Sequence, residues 1–93
     1  MLKTVQRKFY KVKDGQTLTE IAEYFSVSER VLAKRNGLKS SPYAGQILLI
    51  PEEKGNAYIV RAGDSKAMLC GSEERYERLN GTKAFYIGMK VII

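Results

Sequence analysis

The strongest constraint on the fold of this chain is an internal repeat. Residues 10–15 (YKVKDG) return 48 positions later as residues 58–63 (YIVRAG). Two further echoes follow in the same order, RNG at 35–37 with LNG at 79–81 and YAG at 43–45 with YIG at 86–88. Such a repeat predicts two copies of one small folding unit. In a chain of 93 residues, each unit has only about 40, which is near the lower limit for independent folding.

The first unit carries local signals for two helices. Thr17 and Glu20 have the spacing of a capping box, in which the Thr hydroxyl accepts from the Glu20 amide and the carboxylate reaches back. Ser28 predicts the N-cap of a second helix, which Asn36 and Gly37 would end in a left-handed turn. The first helix presents one apolar face, formed at helical spacing by Leu18, Ile21, Ala22 and Phe25.

Short apolar runs bounded by Gly and Pro predict the strands that complete the unit. They lie at residues 9–12 and 47–50, and an antiparallel pair covered by the two helices is the simplest closed arrangement. The predicted fold class is therefore α+β, with two tandem βααβ modules. The expected core of the first comprises Val12, Leu18, Ile21, Ala22, Val31, Leu32, Leu38, Leu48 and Ile50.

A polar segment after Pro51 predicts the boundary between the units, because it contains Gly and lacks apolar periodicity. A linker this short keeps the two units close together. The predicted organisation is an N-terminal extension at 1–8, a first module at 9–51, a linker at 52–57 and a second module at 58–93.

The framework residues of the first unit resemble the pattern of the LysM (lysin motif) family. The matching positions are Tyr10, Val12, Gly15, Thr17, Leu18, Ile21, Ala22, Phe25, Val27, Ser28, Leu32, Asn36, Gly37, Leu38, Gly45, Gln46, Leu48, Ile50 and Pro51. One departure is Gln16, where the family usually has Asp.

The LysM resemblance implies a non-catalytic module that binds N-acetylglucosamine-containing glycans, of the peptidoglycan or chitin type, in a shallow groove. One shallow site should bind weakly and gain avidity from repetition along a polymer. The resemblance places the ligand between two loops, formed by Gly15, Gln16, Thr17 and Leu18 and by Gly37, Leu38, Lys39 and Ser40.

The second unit looks like a degenerate, shortened copy. The first Gly and the Asn-Gly echo are 21 positions apart in the first unit and 17 in the second. The four missing residues amount to about one helical turn, so we expect the first helix of this copy to span only residues 66–70. Lys66 and Met89 replace framework residues of the first copy, which weakens the case for glycan binding by the second.

Three side chains have both a structural and a functional interpretation. Tyr43 could stack on a sugar ring, but we favour its acting as a lid over the loop after the second helix. Ile21 fits the core better than a ligand contact. Cys70 follows three apolar residues and is interpreted as a buried apolar side chain rather than a reactive thiol.

Two alternative functions remain open at this point. Residues 17–31 also read like a helix-turn-helix, and the net charge of +6 would suit DNA, although the second helix would open with Ser28 and Glu29. The resemblance also allows a role in assembly or docking, because LysM-like modules serve this purpose in bacterial, spore or phage structures. In that case the chain would have a protein partner.

Composition argues against catalysis and metal binding. The chain has no His and a single Cys, so neither a nucleophile with its base nor a Cys/His ligand set is present. We therefore expect no enzyme activity, no cofactor and no metal. Residues 1–8 lack a signal-peptide core and no segment is long enough to span a membrane. We expect the chain as it stands to be cytoplasmic, or wall-associated if it is part of an exported protein.

Overall fold

The computed structural model describes residues 8–93, so most of the predicted N-terminal extension lies outside the described part. It contains two βααβ units in tandem, here called module 1 and module 2. Module 1 consists of β1 (Lys8–Lys11), α1 (Leu18–Phe25), α2 (Glu29–Arg35) and β2 (Ile47–Ile50). Module 2 consists of β3 (Ala57–Ile59), α3 (Lys66–Cys70), α4 (Glu73–Asn80) and β4 (Lys90–Ile92). In each module the two strands pair antiparallel, which confirms the predicted α+β class.

The helix boundaries follow the predicted capping signals. The Thr17 hydroxyl accepts from the Glu20 amide at the start of α1, and the Ser28 hydroxyl accepts from the amide of Val31 at the start of α2. The capping box is incomplete, because the Glu20 carboxylate accepts from the Thr17 hydroxyl at 3.1 Å and no bond to the Thr17 amide is present. Helix α3 has the predicted single-turn length.

The first strand begins one residue earlier than the predicted range of 9–12. β1 ends at Lys11, yet the Val12 amide still donates to the Gln46 carbonyl at 2.9 Å. Likewise β4 ends at Ile92, while Ile93 and Asn56 exchange two backbone hydrogen bonds of 2.9 Å each. Pairing therefore continues at the ends, where the strands merge into turns.

Each module has its own apolar core. Most of the predicted core of module 1 is buried or packed against the buried residues. Val31 is the exception, because it is only half-buried and points at Gly81 of module 2, where an added Cβ would lie 3.0 Å from its Cγ2. Val27 takes part in the core instead. In module 2 the core is centred on Tyr76, which is fully buried and donates to the Ala84 carbonyl at 2.7 Å.

One Asn in each module connects the second helix to the second strand. The Asn36 side chain accepts from the Leu49 amide at 2.7 Å and donates to the Leu49 carbonyl at 2.9 Å. The Asn80 side chain does the same with Ile92, at 2.8 and 2.9 Å. Because Val12 and Gln46 are hydrogen-bonded and such pairs alternate along an antiparallel ladder, the polar groups of Leu49 point away from β1. The Asn of the repeated Asn-Gly pair therefore bonds to the second strand as well as lying at the end of the second helix.

The two modules pack against each other through α2 and α4. The buried Ser28 hydroxyl donates to the Asn80 carbonyl at 3.0 Å, and Lys34 Nζ donates to the Gly81 carbonyl at 3.1 Å. An ion pair of 3.1 Å joins Glu23 to Lys90 across the modules. These contacts hold α2 of module 1 against the end of α4.

The segment between the modules is held by two hydrogen bonds. Glu53 accepts from Arg78 Nε at 2.6 Å, and the Gly55 amide donates to the Ser26 carbonyl at 3.0 Å. A Cβ added at Gly55 would overlap the Ile93 carbonyl oxygen, so only glycine fits there. The predicted linker therefore runs along the module interface, and its last residue, Ala57, belongs to β3.

Candidate functional site

The first loop of the predicted site is fixed by the side chain of Gln16. Its Oε1 accepts from the Tyr10 hydroxyl at 2.8 Å and from the Lys13 amide at 3.1 Å. Gly15 adopts a φ of +75°, which glycine allows at little cost. Thr17 is exposed, whereas Leu18 is half-buried against the module 1 core. The loop is thus a turn held by the hydrogen bonds of Gln16 on one side and by the half-buried Leu18 on the other.

The second predicted loop follows α2. Gly37 adopts a φ of +61°, and the Leu38 amide donates to the Ala33 carbonyl at 2.9 Å. Leu38 packs on the same core as Leu18, while Lys39 and Ser40 are exposed. The structure therefore brings the two loops onto one core through their leucines and leaves the polar residues facing solvent.

Tyr43 does not act as a lid. Its side chain is 69% exposed, although its amide donates to Gln46 Oε1 at 3.1 Å. Tyr86, the equivalent residue of module 2, is also exposed. The lid interpretation was wrong, because Tyr43 leaves most of its surface in solvent, and the buried residue of this loop is Pro42.

Module 2 repeats the first loop with a different side chain. Asp64 Oδ2 accepts from the Tyr58 hydroxyl at 2.7 Å and from the Arg61 amide at 2.8 Å. The amide hydrogen bond, followed by that from the tyrosine, holds the pKa of Asp64 below its ordinary value. Gln16 and Asp64 therefore accept equivalent hydrogen bonds. The turn of module 1 keeps its geometry although Gln16 replaces the Asp that is usual in the family.

Lys66 is one of the two framework changes in module 2, and it lies beside the first loop. Lys66, which stands where Leu18 stands in module 1, places its ammonium group 5.4 Å from the centre of the Tyr76 ring and 3.6 Å from Glu77. The lysine covers apolar surface with its methylenes and finds a negative partner, which explains how the substitution is tolerated. The Gly81 loop of this module is also occupied by its contact with α2.

A second concave surface was not predicted from the sequence. A cleft of about 790 Å³ lies between the helices of module 1 and β4 of module 2. Of the eight predicted site residues only Leu18 lines it. The cleft residues missed by sequence reasoning include Ser26, Arg30 and Lys90. The one signal that indicated them is the short linker, which required the modules to meet.

Other functional classes find little support in the described part of the chain. Among residues 8–93, no group of three or more acidic or Cys residues could hold a metal ion. No helix there is long and apolar enough to cross a bilayer. Cys70 is 7% exposed, and burial raises the pKa of its thiol, which agrees with its interpretation as a core residue.

These features define a small repeat module whose candidate site consists of two loops held by hydrogen bonds and by apolar contacts with the core. Residues 10–51 match the family model of the LysM domain. This part of the chain is a LysM domain, and module 2 has the same element order in shortened form. LysM domains are binding modules rather than catalytic ones, and in general they bind peptidoglycan and chitin-type glycans that contain N-acetylglucosamine.

Two of the solved structures that are similar to this chain are spore cortex-lytic enzymes. The spore cortex-lytic enzyme SleL of Bacillus cereus shares 21% identity over 95% of this chain and 23% of its own, with a TM-score of 0.46. SleL of Bacillus megaterium QM B1551 shares 27% identity over 94% of this chain and 22% of its own, with a TM-score of 0.45. The chain spans less than a quarter of either enzyme. No curated protein matches it.

Proposed function

We propose that the chain is a non-catalytic carbohydrate-binding module that recognises N-acetylglucosamine-containing glycans through the groove of module 1. The observation that carries this proposal is the match of residues 10–51 to the LysM domain, combined with two loops whose backbone groups are held in place by Gln16 and Leu38. A sugar amide and its hydroxyls need such fixed donors and acceptors next to apolar surface. The contacts would come from residues 15–18 and 37–40.

Module 2 supports the glycan function structurally in this proposal. Lys66 replaces the apolar side chain of the groove, and Gly81 is in contact with α2. Both changes reduce the surface that a pyranose ring could contact. Since module 2 also supplies one wall of the interface, its role is to stabilise a domain that is small for independent folding.

The test is a titration of isotope-labelled protein with chitin oligosaccharides and with peptidoglycan fragments, followed by backbone amide shifts. We expect shifts at residues 15–18 and 37–40, with the equivalent residues of module 2 unchanged. Lys39→Ala should weaken binding, whereas Lys83→Ala, at the equivalent position of module 2, should not. Absence of shifts with every glycan at millimolar concentration would refute the proposal.

Docking onto a protein partner is the second candidate. The observation that favours it is the outer face of the first sheet, where Phe9 is 61% and Ile47 56% exposed. The helix-turn-helix alternative has less support, because the N-cap of α2, the buried Ser28, is hydrogen-bonded to Asn80 of module 2. A helix in that position has its N-terminal end against protein, whereas DNA recognition needs that end free.

A further inference from the structure

The cleft between the modules is large enough to hold a ligand. Its volume of about 790 Å³ lies within the range of roughly 300–1,000 Å³ that is typical of ligand pockets. One wall is the outer surface of α1 and α2, and the other is formed by β4. Leu18 belongs to this cleft and to the proposed glycan groove, so the two surfaces adjoin each other.

The apolar part of the cleft includes small and β-branched side chains beside Leu18. Ala33 lines it on α2 and is half-buried, whereas Ala22 and Val91, which also border it, are almost completely buried. Ser26 also lines it and adopts a φ of +57°, a conformation that is uncommon for residues other than glycine. Leu18 and Ala33 therefore give the cleft a small apolar surface that can contact methyl groups.

Four charged side chains, two of each sign, line the same cleft. Glu23 and Lys90 form an exposed ion pair across the two modules. The Glu29 carboxylate accepts from the Thr19 hydroxyl at 2.9 Å, and neither Glu29 nor Arg30 has an ion-pair partner within residues 8–93. Arg30 therefore offers its guanidinium group to a carboxylate, while Glu29 lies one residue away for an ammonium group.

This balance of charge selects among ligand classes. A neutral sugar chain gives Glu29 and Arg30 no ionic partner, and a polyanion gives none to Glu29. A short peptide that carries both carboxylate and ammonium groups matches both signs and also has methyl groups for the small apolar surface. The peptides attached to the glycan strands of peptidoglycan have this chemistry, whereas chitin carries no peptide.

We propose that the cleft between the modules binds the short charged peptide of a peptidoglycan strand whose sugars occupy the groove of module 1. The inference rests on the proposed glycan function and narrows its ligand to peptidoglycan rather than chitin. Because Leu18 is shared by the groove and the cleft, a peptide branching from the bound sugar would enter the cleft at this residue. Arg30 would bind its carboxylate and Glu29 its ammonium group.

The experiment compares four probes on the full chain by amide shifts and calorimetry. They are a peptidoglycan disaccharide with its tetrapeptide, the same disaccharide without peptide, the free tetrapeptide and chitotetraose. We expect the peptide-bearing disaccharide to bind about fivefold more tightly than the peptide-free one, as for one exposed ion pair. It should shift amides of residues 26–30 and 90–92 that the peptide-free disaccharide leaves unchanged.

Two variants on the same helix provide a matched comparison. Arg30→Gln should remove the preference for the peptide-bearing disaccharide, whereas Arg35→Gln, which alters an exposed residue outside the cleft, should retain it. Equal affinity for both disaccharides, or chitotetraose shifts in the cleft, would overturn the peptide assignment. If the free tetrapeptide shifts the cleft while no glycan shifts the groove, peptide binding by the cleft is supported, whereas the proposed glycan function and the joint binding of sugar and peptide are refuted.

Discussion

Removing the Asn80 side chain should destabilise the protein more than its size suggests. Asn80 is 2% exposed, and its amide group satisfies both the N–H and the C=O of Ile92. Each buried group left without a partner costs about 1–3 kcal/mol. The Ile92 carbonyl would keep a weak contact with the Cys70 thiol at 3.8 Å, so we expect Asn80→Ala to cost about 3 kcal/mol in total. For a domain of this size, that lowers Tm by roughly 12–24 °C.

Urea and thermal unfolding followed by circular dichroism would measure this loss. Asn36→Ala removes the equivalent bonds in module 1, but Asn36 is only half-buried, so water can replace part of what is lost and the cost should be about 1–2 kcal/mol. Asn56→Ala is the control, because its exposed side chain makes no hydrogen bond within residues 8–93, and it should change stability by less than about 0.5 kcal/mol. An Asn80 variant no less stable than the Asn56 variant would refute the reasoning.

Three further predictions concern single residues. Gly81→Ala should lower the urea midpoint more than Gly15→Ala, because both have positive φ but only Gly81 faces a close neighbour; equal losses would argue against the module contact. Because the folded pKa of Asp64 lies below its ordinary 3.8, its stabilising effect is complete above that value and is lost as pH falls through the folded pKa. As the pH is lowered, the first loop of module 2 should therefore loosen before that of module 1, where Gln16 cannot titrate, and NMR would follow both loops. Loosening of both loops at the same pH would refute this prediction. Burial raises the pKa of Cys70, so iodoacetamide at pH 8 should modify it at least about tenfold more slowly in native protein than in urea, and similar rates would show that it is accessible.

The parts of the fold that could be predicted depend on local chemistry. Thr17 and Ser28 cap helices wherever such residues precede an apolar stripe, so α1 and α2 began where the sequence indicated. The length of α3 followed from comparing the two copies, since the missing residues had to come from one helical turn. Neither prediction required knowledge of what the helices pack against.

The parts that could not be predicted depend on tertiary partners. Val31 has the correct spacing for the core of its own module, but helical periodicity does not say which neighbour it meets, and that neighbour is Gly81. The role of Gln16 was likewise hidden, because only the structure shows it accepting the bonds that Asp64 accepts in module 2. The cleft lies between two modules whose relative placement no local motif encodes.

The paired bonds of Asn36 and Asn80 have a consequence for association between molecules. A strand at the edge of a sheet presents unpaired backbone groups, which invite a strand from another chain and lead to aggregation. A carboxamide carries the same donor and acceptor as a peptide group, so each Asn occupies the outer edge of its strand at Leu49 and at Ile92. Tandem modules of this design can therefore lie close together on one chain without fusing their small sheets into a continuous one.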